Sequence, residues 1–263
     1  MEFLFVFDTI PNMLKNKKLV IGNWKMSPSS LAEAKKIVAN TSKTALKLKK
    51  TTVVLAPSFV HITPFSTKKS KILWGAQDVC LKSSGSLTGE VSVKMLKDLN
   101  VEFVIIGHSE RRALGETNDI IAKKVVTTLA EGLKPVLCIG ETARDTDGEF
   151  LQELKSQLLE CIADIKRGDM LDLVIAYEPT SFIGASEALE PHEIHTSVLY
   201  IRKVLAEHFS KDLALSAMIL YGGTVNADNC LDIIKNGGVD GLLVGRASVN
   251  GEFGEVLKAV ERA

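Results

Sequence analysis

One carboxylate at the end of an apolar run is well placed for acid–base chemistry. Glu178 follows the run 173–176 and precedes Pro179, whose ring fixes the backbone angle φ. A short segment that ends in Gly184 comes next. This pattern predicts a general base at the end of a buried strand, beside a small hinged lid. A glutamate at the end of a strand can also be a solvated turn residue. The other segments of the sequence are needed to choose between the two interpretations.

A histidine with charged neighbours follows a second apolar run. The segment Gly-His-Ser-Glu-Arg-Arg at 107–112 combines an imidazole, a carboxylate and two guanidinium groups. At the N-terminus of a helix, the positive end of the helix dipole disfavours the cationic form of a histidine. His108 is therefore predicted to stay uncharged, to donate a hydrogen bond to a carbonyl oxygen and to shuttle protons.

Asn23 and Lys25 form a third polar pair, directly after the apolar run 19–22. Alternation along a strand turns these two side chains to one side and Trp24 to the other. A lysine that points into the mouth of a barrel is costly to bury unless it meets an anion or a carboxylate. Glu110 is the expected carboxylate partner.

Two glycine turns indicate an anion site. Gly-Gly-Thr at 222–224 and Gly-Arg-Ala-Ser at 245–248 each follow an apolar run. Glycine lets backbone N–H groups come close to an anion, and the N-terminus of a short helix favours negative charge. With Gly184 in the lid segment, the two turns predict a phosphate site formed by the main chain.

Short runs rich in Val, Ile and Leu alternate with helical patterns along most of the chain. The predicted strands are 19–22, 52–56, 72–75, 103–106, 135–139, 173–176, 218–221 and 241–244. Near-continuous apolar strands separated by helices indicate a parallel sheet covered by helices. Eight such units without a linker favour an α/β fold of one domain, a (β/α)8 TIM barrel at 18–263 preceded by an extension at 1–17, over an open doubly wound sheet. In a closed barrel, all the polar residues above lie at the C-terminal ends of strands, where such barrels carry out chemistry.

The composition argues against several classes of function. Lysine plus arginine equals aspartate plus glutamate, at 32 each, so no overall field favours nucleic acid or a membrane surface. The apolar stretch 3–7 is too short to span a bilayer. The four cysteines lack the spacing of a zinc site, which indicates no metal and a reduced, cytoplasmic setting. Cys138 is expected to be a buried structural thiol near Glu178, because no base accompanies it.

Seven segments resemble the triosephosphate isomerase family, and they occur in that family's order. They are Gly-Asn-Trp-Lys-Met at 22–26, Thr-Gly-Glu at 88–90, Gly-His-Ser-Glu-Arg-Arg at 107–112, Cys-Ile-Gly-Glu at 138–141, Ala-Tyr-Glu-Pro at 176–179, Tyr-Gly-Gly-Thr-Val at 221–225 and Asp-Gly-Leu-Leu-Val-Gly at 240–245. The resemblance spans the chain from about Lys18 to the C-terminus. It implies a homodimeric (β/α)8 barrel, free of cofactor and metal, that interconverts dihydroxyacetone phosphate and D-glyceraldehyde 3-phosphate.

The resemblance also implies a role for each candidate residue. Glu178 would take the proton from the carbon next to the carbonyl, and His108 would be the electrophile and proton shuttle. Lys25 would stabilise negative charge, Asn23 would polarise a substrate oxygen, and Glu110 would position Lys25.

Binding roles follow from the same resemblance. The phosphate would be held, beside Asn23 and Lys25, by backbone N–H groups of four residues: Gly184, Thr224, Gly245 and Arg246. Thr88, in the loop 85–90, would brace Asn23 or Lys25 of the partner subunit.

The chain departs from the family's usual pattern at the lid and at the phosphate. Thr180 and Ser181 stand where an apolar residue and a tryptophan are usual, and Ala185-Ser186 replace a threonine and a glycine. Because the indole is a packing anchor, its loss is expected to change the balance between open and closed lid. Arg246 replaces what is often a second glycine, and its side chain is expected to point away from the phosphate.

Two other functions remain open on the sequence. A phosphate-binding paralogue with weak catalysis would keep the barrel and lose efficient lid closure, although the side chains for catalysis are all present. A metal-dependent aldolase or epimerase would need a set of histidine and carboxylate ligands at the strand ends, which the sequence lacks.

Overall fold

Eight apolar segments form parallel strands that pair in chain order. They are β1 (Lys18–Asn23), β2 (Thr51–Ala56), β3 (Ile72–Ala76), β4 (Val101–Ile106), β5 (Lys134–Ile139), β6 (Val174–Tyr177), β7 (Met218–Tyr221) and β8 (Gly241–Val244). Strand β8 returns to β1, with Leu19 opposite Gly241, so the sheet closes into a barrel. The computed structural model describes residues 17–66, 70–145, 147–184 and 188–263. The closed barrel confirms the predicted fold, and the open doubly wound sheet is wrong.

Helices follow the strands and cover the outside of the barrel. They are α1 (Leu31–Ala45), α2 (Thr63–Ser66), α3 (Val93–Asp98), α4 (Ser109–Ala113), α5 (Asn118–Ala130), α6 (Phe150–Ile162), α7 (Pro191–His208), α8 (Lys211–Ser216), α9 (Cys230–Asn236) and α10 (Phe253–Arg262). The sequence itself encodes several of the starts. The side chains of Ser30, Ser92, Thr117 and Ser210 each accept a hydrogen bond from the N–H three residues further on, which caps the helix.

Alternating strand residues divide between two buried layers. One cluster contains strand residues alone, including Leu19, Val54, Phe103 and Leu220, and it fills the inside of the barrel. The larger cluster combines the opposite strand faces with the apolar faces of the helices. Near-complete burial on both faces explains why the strands appear in the sequence as continuous apolar runs.

Each predicted strand overlaps an observed strand, and the differences at the ends have physical causes. Strand β4 begins at Val101 rather than at Phe103, because Val101 pairs with Trp74 of β3, while the charged Glu102 interrupts the apolar run and lies at an irregularity of that pairing. Strand β6 begins at Val174 rather than at Leu173, whose N–H instead closes a 3₁₀ turn onto Met170. These shifts leave the order and the C-terminal ends of the strands as predicted to within one residue.

Two sequence expectations concern residues outside the described ranges. The proposed extension lies there except for Lys17, and so does the Ala185-Ser186 departure in the lid. Across the described ranges, no helix is both long and apolar enough to cross a bilayer.

Candidate active site

The C-terminal ends of the strands surround a cavity of about 760 Å³. Most of the predicted site residues line it: Asn23, Lys25, His108, Glu178, Gly184, Thr224, Gly245 and Arg246. Glu110 forms an ion pair with Lys25 and does not line the cavity itself. Thr88 is exposed on its loop and does not line the cavity either. Residues at the ends of five different strands are thus brought to one pocket.

Main-chain hydrogen bonds hold Glu178 beyond the end of β6. Its N–H donates to the carbonyl of Ile139 at 2.8 Å, which continues the β5–β6 pairing by one residue. Its side chain is only 3% exposed. Oε2 accepts no hydrogen bond from a nitrogen or oxygen donor in the described part of the chain. A buried carboxylate whose second oxygen accepts from no N–H or O–H of the described residues is suited to accept a proton from a bound molecule.

Two glycines make room for Glu178. A Cβ on Gly140 would lie 1.9 Å from the carbonyl oxygen of Glu178, and a Cβ on Gly222 would lie 2.7 Å from its Cγ. The Gly222 N–H also donates to the carbonyl of Tyr177 at 2.8 Å. A side chain at either position would therefore displace the carboxylate.

The buried thiol of Cys138 accompanies this carboxylate. Cys138 is 1% exposed, as expected for a structural residue. Burial raises the pKa of the Cys138 thiol well above its ordinary value, and the charge of Glu178 raises it further. The thiol therefore remains protonated and is unsuited to act as a nucleophile.

His108 is fixed by the start of helix α4. It is the N-cap residue, and its Nδ1 accepts a hydrogen bond from the N–H of Glu110 at 3.2 Å. A nitrogen that accepts carries no proton, so the ring proton lies on Nε2. Nε2 is 3.4 Å from Oε1 of Glu178, and the histidine side chain is 7% exposed. The imidazole thus presents a donor to the cavity beside the carboxylate.

Lys25 has a backbone conformation that is unusual for a residue with a side chain, with φ at 53°. Hydrogen bonds on both sides hold it. Its N–H donates to Oδ1 of Asn23 at 3.0 Å, and its carbonyl accepts from Nε2 of Gln77 at 2.9 Å. Its ammonium group lies 2.5 Å from Oε1 of Glu110, so the expected ion pair is present.

Gln77 is a functional candidate that the motifs did not identify. The same amide group that holds Lys25 also donates to the carbonyl of Ala56 at 2.9 Å, so it ties the end of β2 to the lysine loop. A usable signal existed in the sequence: Gln77 follows directly after β3, at the C-terminal end of a barrel strand.

The predicted phosphate loops follow β7 and β8 and line the same cavity as Lys25, and a Cβ on Gly245 would lie 3.5 Å from Cε of Lys25. In the lid position observed, the N–H and the hydroxyl of Thr224 both donate to the carbonyl of Phe182, at 3.1 and 2.8 Å. The N–H of Thr224 is therefore engaged by the lid rather than directed to an anion. Gly245 precedes a 3₁₀ turn, Arg246–Ser248, and Arg246 is exposed at the edge of the cavity.

No group of three or more histidine, cysteine, aspartate or glutamate residues within the described ranges is arranged to hold a metal ion. The four cysteines are buried and unpaired. The cavity brings together a carboxylate, an imidazole and an ammonium group, which suit proton transfer next to a carbonyl and stabilisation of the resulting oxyanion.

Comparison with known proteins agrees with this geometry. The sequence model of the family described as triosephosphate isomerase matches residues 18–260. The chain belongs to the triosephosphate isomerase family. The triosephosphate isomerase of Coprinopsis cinerea is 37% identical over 241 residues, which cover 90% of this chain and 96% of that protein. That of Fusobacterium nucleatum is 37% identical over 249 residues, covering 92% and 99%. That of Thermoanaerobacter sp. (strain X514) is 35% identical over 246 residues, covering 92% and 98%.

The packing of Gly222 against Glu178 gives a first prediction for this member of the triosephosphate isomerase family. Gly222→Ala places a Cβ within 3.0 Å of both Cγ and Oε1 of Glu178, so the carboxylate must move. A displacement of about 1 Å lowers the rate by about 100-fold, so we expect kcat to fall by roughly that factor. The measurement is steady-state isomerase kinetics.

Gly168→Ala is the matched control, because a Cβ on Gly168 meets nothing within 4 Å. It should keep the kcat of the unmodified protein. A Gly222→Ala protein that melts at the same temperature and retains full kcat would show that the carboxylate is not held where we place it.

Proposed function

We propose that this protein interconverts dihydroxyacetone phosphate and D-glyceraldehyde 3-phosphate through an enediolate, as an isomerase of glycolysis and gluconeogenesis. The observation that carries the proposal is the meeting of Glu178 and the Nε2 donor of His108, 3.4 Å apart in the same cavity as Lys25. Isomerisation of a triose phosphate needs these three kinds of group: a base for a C–H proton, a donor at the carbonyl oxygen and a cation near both.

Glu178 is the base in this reaction. Its carboxylate takes a proton from C1 of dihydroxyacetone phosphate, and the electron pair of that C–H bond moves to form the enediolate. The same proton, now on the carboxyl group, returns to C2 to give the aldehyde. Substrate must enter between the carboxylate and the imidazole, so binding replaces their direct contact.

His108 and Lys25 act on the oxygens of the substrate. The Nε2–H of His108 donates to the carbonyl oxygen and moves a proton between the two enediolate oxygens, and this family is itself the standard example of a glutamate base paired with a neutral histidine. The ammonium group of Lys25, positioned by Glu110, stabilises the negative charge, and the amide of Asn23 polarises a substrate oxygen. A positioned base and a positioned acid each contribute roughly 10²–10⁴ in rate.

The reaction is neutral in redox terms, because hydrogen is only redistributed within the substrate. Proton transfer by side chains is enough, and the proposal needs neither cofactor nor metal. The phosphate group supplies binding energy away from the reacting carbons, through Gly184, Thr224, Gly245 and Arg246. Because Thr224 is bonded to Phe182 of the lid, capture of phosphate by the Thr224 N–H requires the lid to shift, which couples binding to closure.

We also propose a homodimer. Exposed apolar side chains follow three neighbouring strands: Met26 after β1, Val60 after β2 and Met95 after β3. They follow consecutive strands, as Thr88 does, and Met26 directly follows Lys25, so a second copy bound there would cover them and bring its own Thr88 loop to the active site. Sedimentation velocity at micromolar concentration should give the mass of two chains. A single-chain mass would contradict this part of the proposal.

The remaining assignments are proposed on narrower grounds. A cytoplasmic setting is supported by four buried, unpaired cysteines. The division into an extension at 1–17 and a barrel domain at 18–263 is supported by the family match, which begins at residue 18.

A coupled assay with D-glyceraldehyde 3-phosphate in the presence of EDTA tests the proposed activity. We expect full isomerase activity that the chelator does not lower, and a loss of about 10²–10⁴ in kcat for Glu178→Gln, because the amide cannot accept the proton. Activity that EDTA abolishes would indicate a metal-dependent enzyme instead. A folded protein that binds phosphate without activity would indicate the weak paralogue.

A further inference from the structure

A cluster of polar side chains lies behind Glu178, outside the cavity. Glu141, Arg144, Tyr177 and Ser197 share a set of hydrogen bonds in which Nη1 of Arg144 is 3.0 Å from Oε1 of Glu141, 2.9 Å from the Tyr177 hydroxyl and 3.3 Å from Oγ of Ser197. Tyr177 donates to the same Oε1 at 2.8 Å. The cavity wall does not include any of these four residues.

The carboxylate of Glu141 is the buried anion of this cluster, and it needs a cation partner. It is 0% exposed, and burial raises the pKa of Glu141 above its ordinary value. Its Oε2 accepts no hydrogen bond from the described residues. A buried anion is costly without a cation, and Arg144 supplies one with only 17% of its side chain exposed. The guanidinium also stacks 4.2 Å above the ring of Phe150, which limits its freedom to move.

The cluster fixes the chain on both sides of Glu178. Tyr177 is the residue directly before it, and the Tyr177 hydroxyl is held by Glu141 and by Ser197 on helix α7. On the other side, the N–H of Thr180 donates to the carbonyl of Glu141 at 2.9 Å. Glu178 thus lies between two contacts to the same residue, one to the carboxylate of Glu141 and one to its main-chain carbonyl.

We infer that Arg144 is a positioning residue, which neutralises Glu141 and thereby holds Glu178 and the first hinge of the lid in their active arrangement. The inference rests on the proposed isomerase function. Arg144 touches no reacting atom, so it acts only through its neighbours. Lys25, His108 and the phosphate loops belong to other strands, so loss of Arg144 should affect the chemical step more than substrate binding.

The first hinge adds a second expected effect. If Thr180 is less firmly held, the lid closes less completely over the enediolate, which then loses its phosphate group when the C–O bond of the ester breaks. The products of that side reaction are inorganic phosphate and methylglyoxal. The fraction of turnovers that end in methylglyoxal therefore reports on the hinge independently of kcat.

Arg144→Met is the direct test, with Glu141→Gln/Arg144→Met as the matched rescue. In the single variant a buried carboxylate loses its cation, and we expect kcat to fall about tenfold, KM to stay within about twofold and the methylglyoxal fraction to rise. In the double variant the amide removes the uncompensated charge and can still accept from Tyr177. We therefore expect kcat to recover at least about threefold over the single variant.

Arg202→Met is the control for loss of an arginine ion pair. Nη2 of Arg202 is 2.9 Å from Oδ2 of Asp240, and the arginine side chain is 18% exposed. Asp240 directly precedes β8, so this ion pair lies at the end of the barrel opposite the cavity. This variant should lower the melting temperature and leave kcat and the methylglyoxal fraction unchanged. All assays are run below the melting transition of every variant.

The outcomes separate the two proposals. An inactive unmodified protein overturns the isomerase function itself. If the unmodified protein is active, Arg144→Met with the kcat and methylglyoxal fraction of the unmodified protein overturns the positioning role. A double variant whose kcat is no higher than that of Arg144→Met also overturns it. Should Arg144→Met fail to fold, Arg144→Gln and Glu141→Gln/Arg144→Gln replace the two variants. A lower kcat at constant KM in Arg144→Gln that recovers in its double variant supports the inference. A wild-type kcat in Arg144→Gln, or no recovery in its double variant, overturns it.

Discussion

A single backbone hydrogen bond, from the N–H of Glu110 to Nδ1 of His108, sets the chemistry of the whole site. It places the proton of the imidazole on Nε2, so that the ring donates toward the cavity. Without it, Nε2 could lack a proton and would then have no hydrogen bond to donate to a substrate oxygen, or the ring could be a cation, which would stabilise the negative charge of Glu178 and weaken it as a base. The closed parallel barrel supports this arrangement, because the C-terminal ends of β4 and β6, which carry His108 and Glu178, lie at the same end of the barrel.

Strain and buried charge at the site are each balanced by specific contacts. The unusual φ of Lys25 is held by amide groups of Asn23 and Gln77. Behind Glu178, the buried Glu141 is balanced by Arg144. In both cases local contacts are joined by a contact from another strand end: Gln77 follows β3 and holds Lys25, and Tyr177 ends β6 and donates to Glu141. The closed barrel therefore adds to the local contacts that hold the site.

The sequence predicted the barrel and the residues that line the cavity because both follow from local patterns. Apolar runs mark the strands, and polar residues that interrupt the pattern at their C-terminal ends mark the chemistry. Gln77 and Arg144 were missed because their importance arises from contacts with residues 52 and 33 positions away in the chain, which no local pattern reports. The engagement of Thr224 by the lid was missed for a related reason, since it depends on where the lid lies in space.

The protonation of the His108 ring tests the central claim most directly. Nitrogen-15 NMR of the histidine-labelled protein at neutral pH, with His108→Gln to assign the signals, distinguishes the two ring nitrogens. We predict a protonated Nε2 and an unprotonated Nδ1. A ring with protons on both nitrogens, or with its only proton on Nδ1, would contradict the account, because the donor toward the substrate oxygen would then not be the neutral Nε2–H.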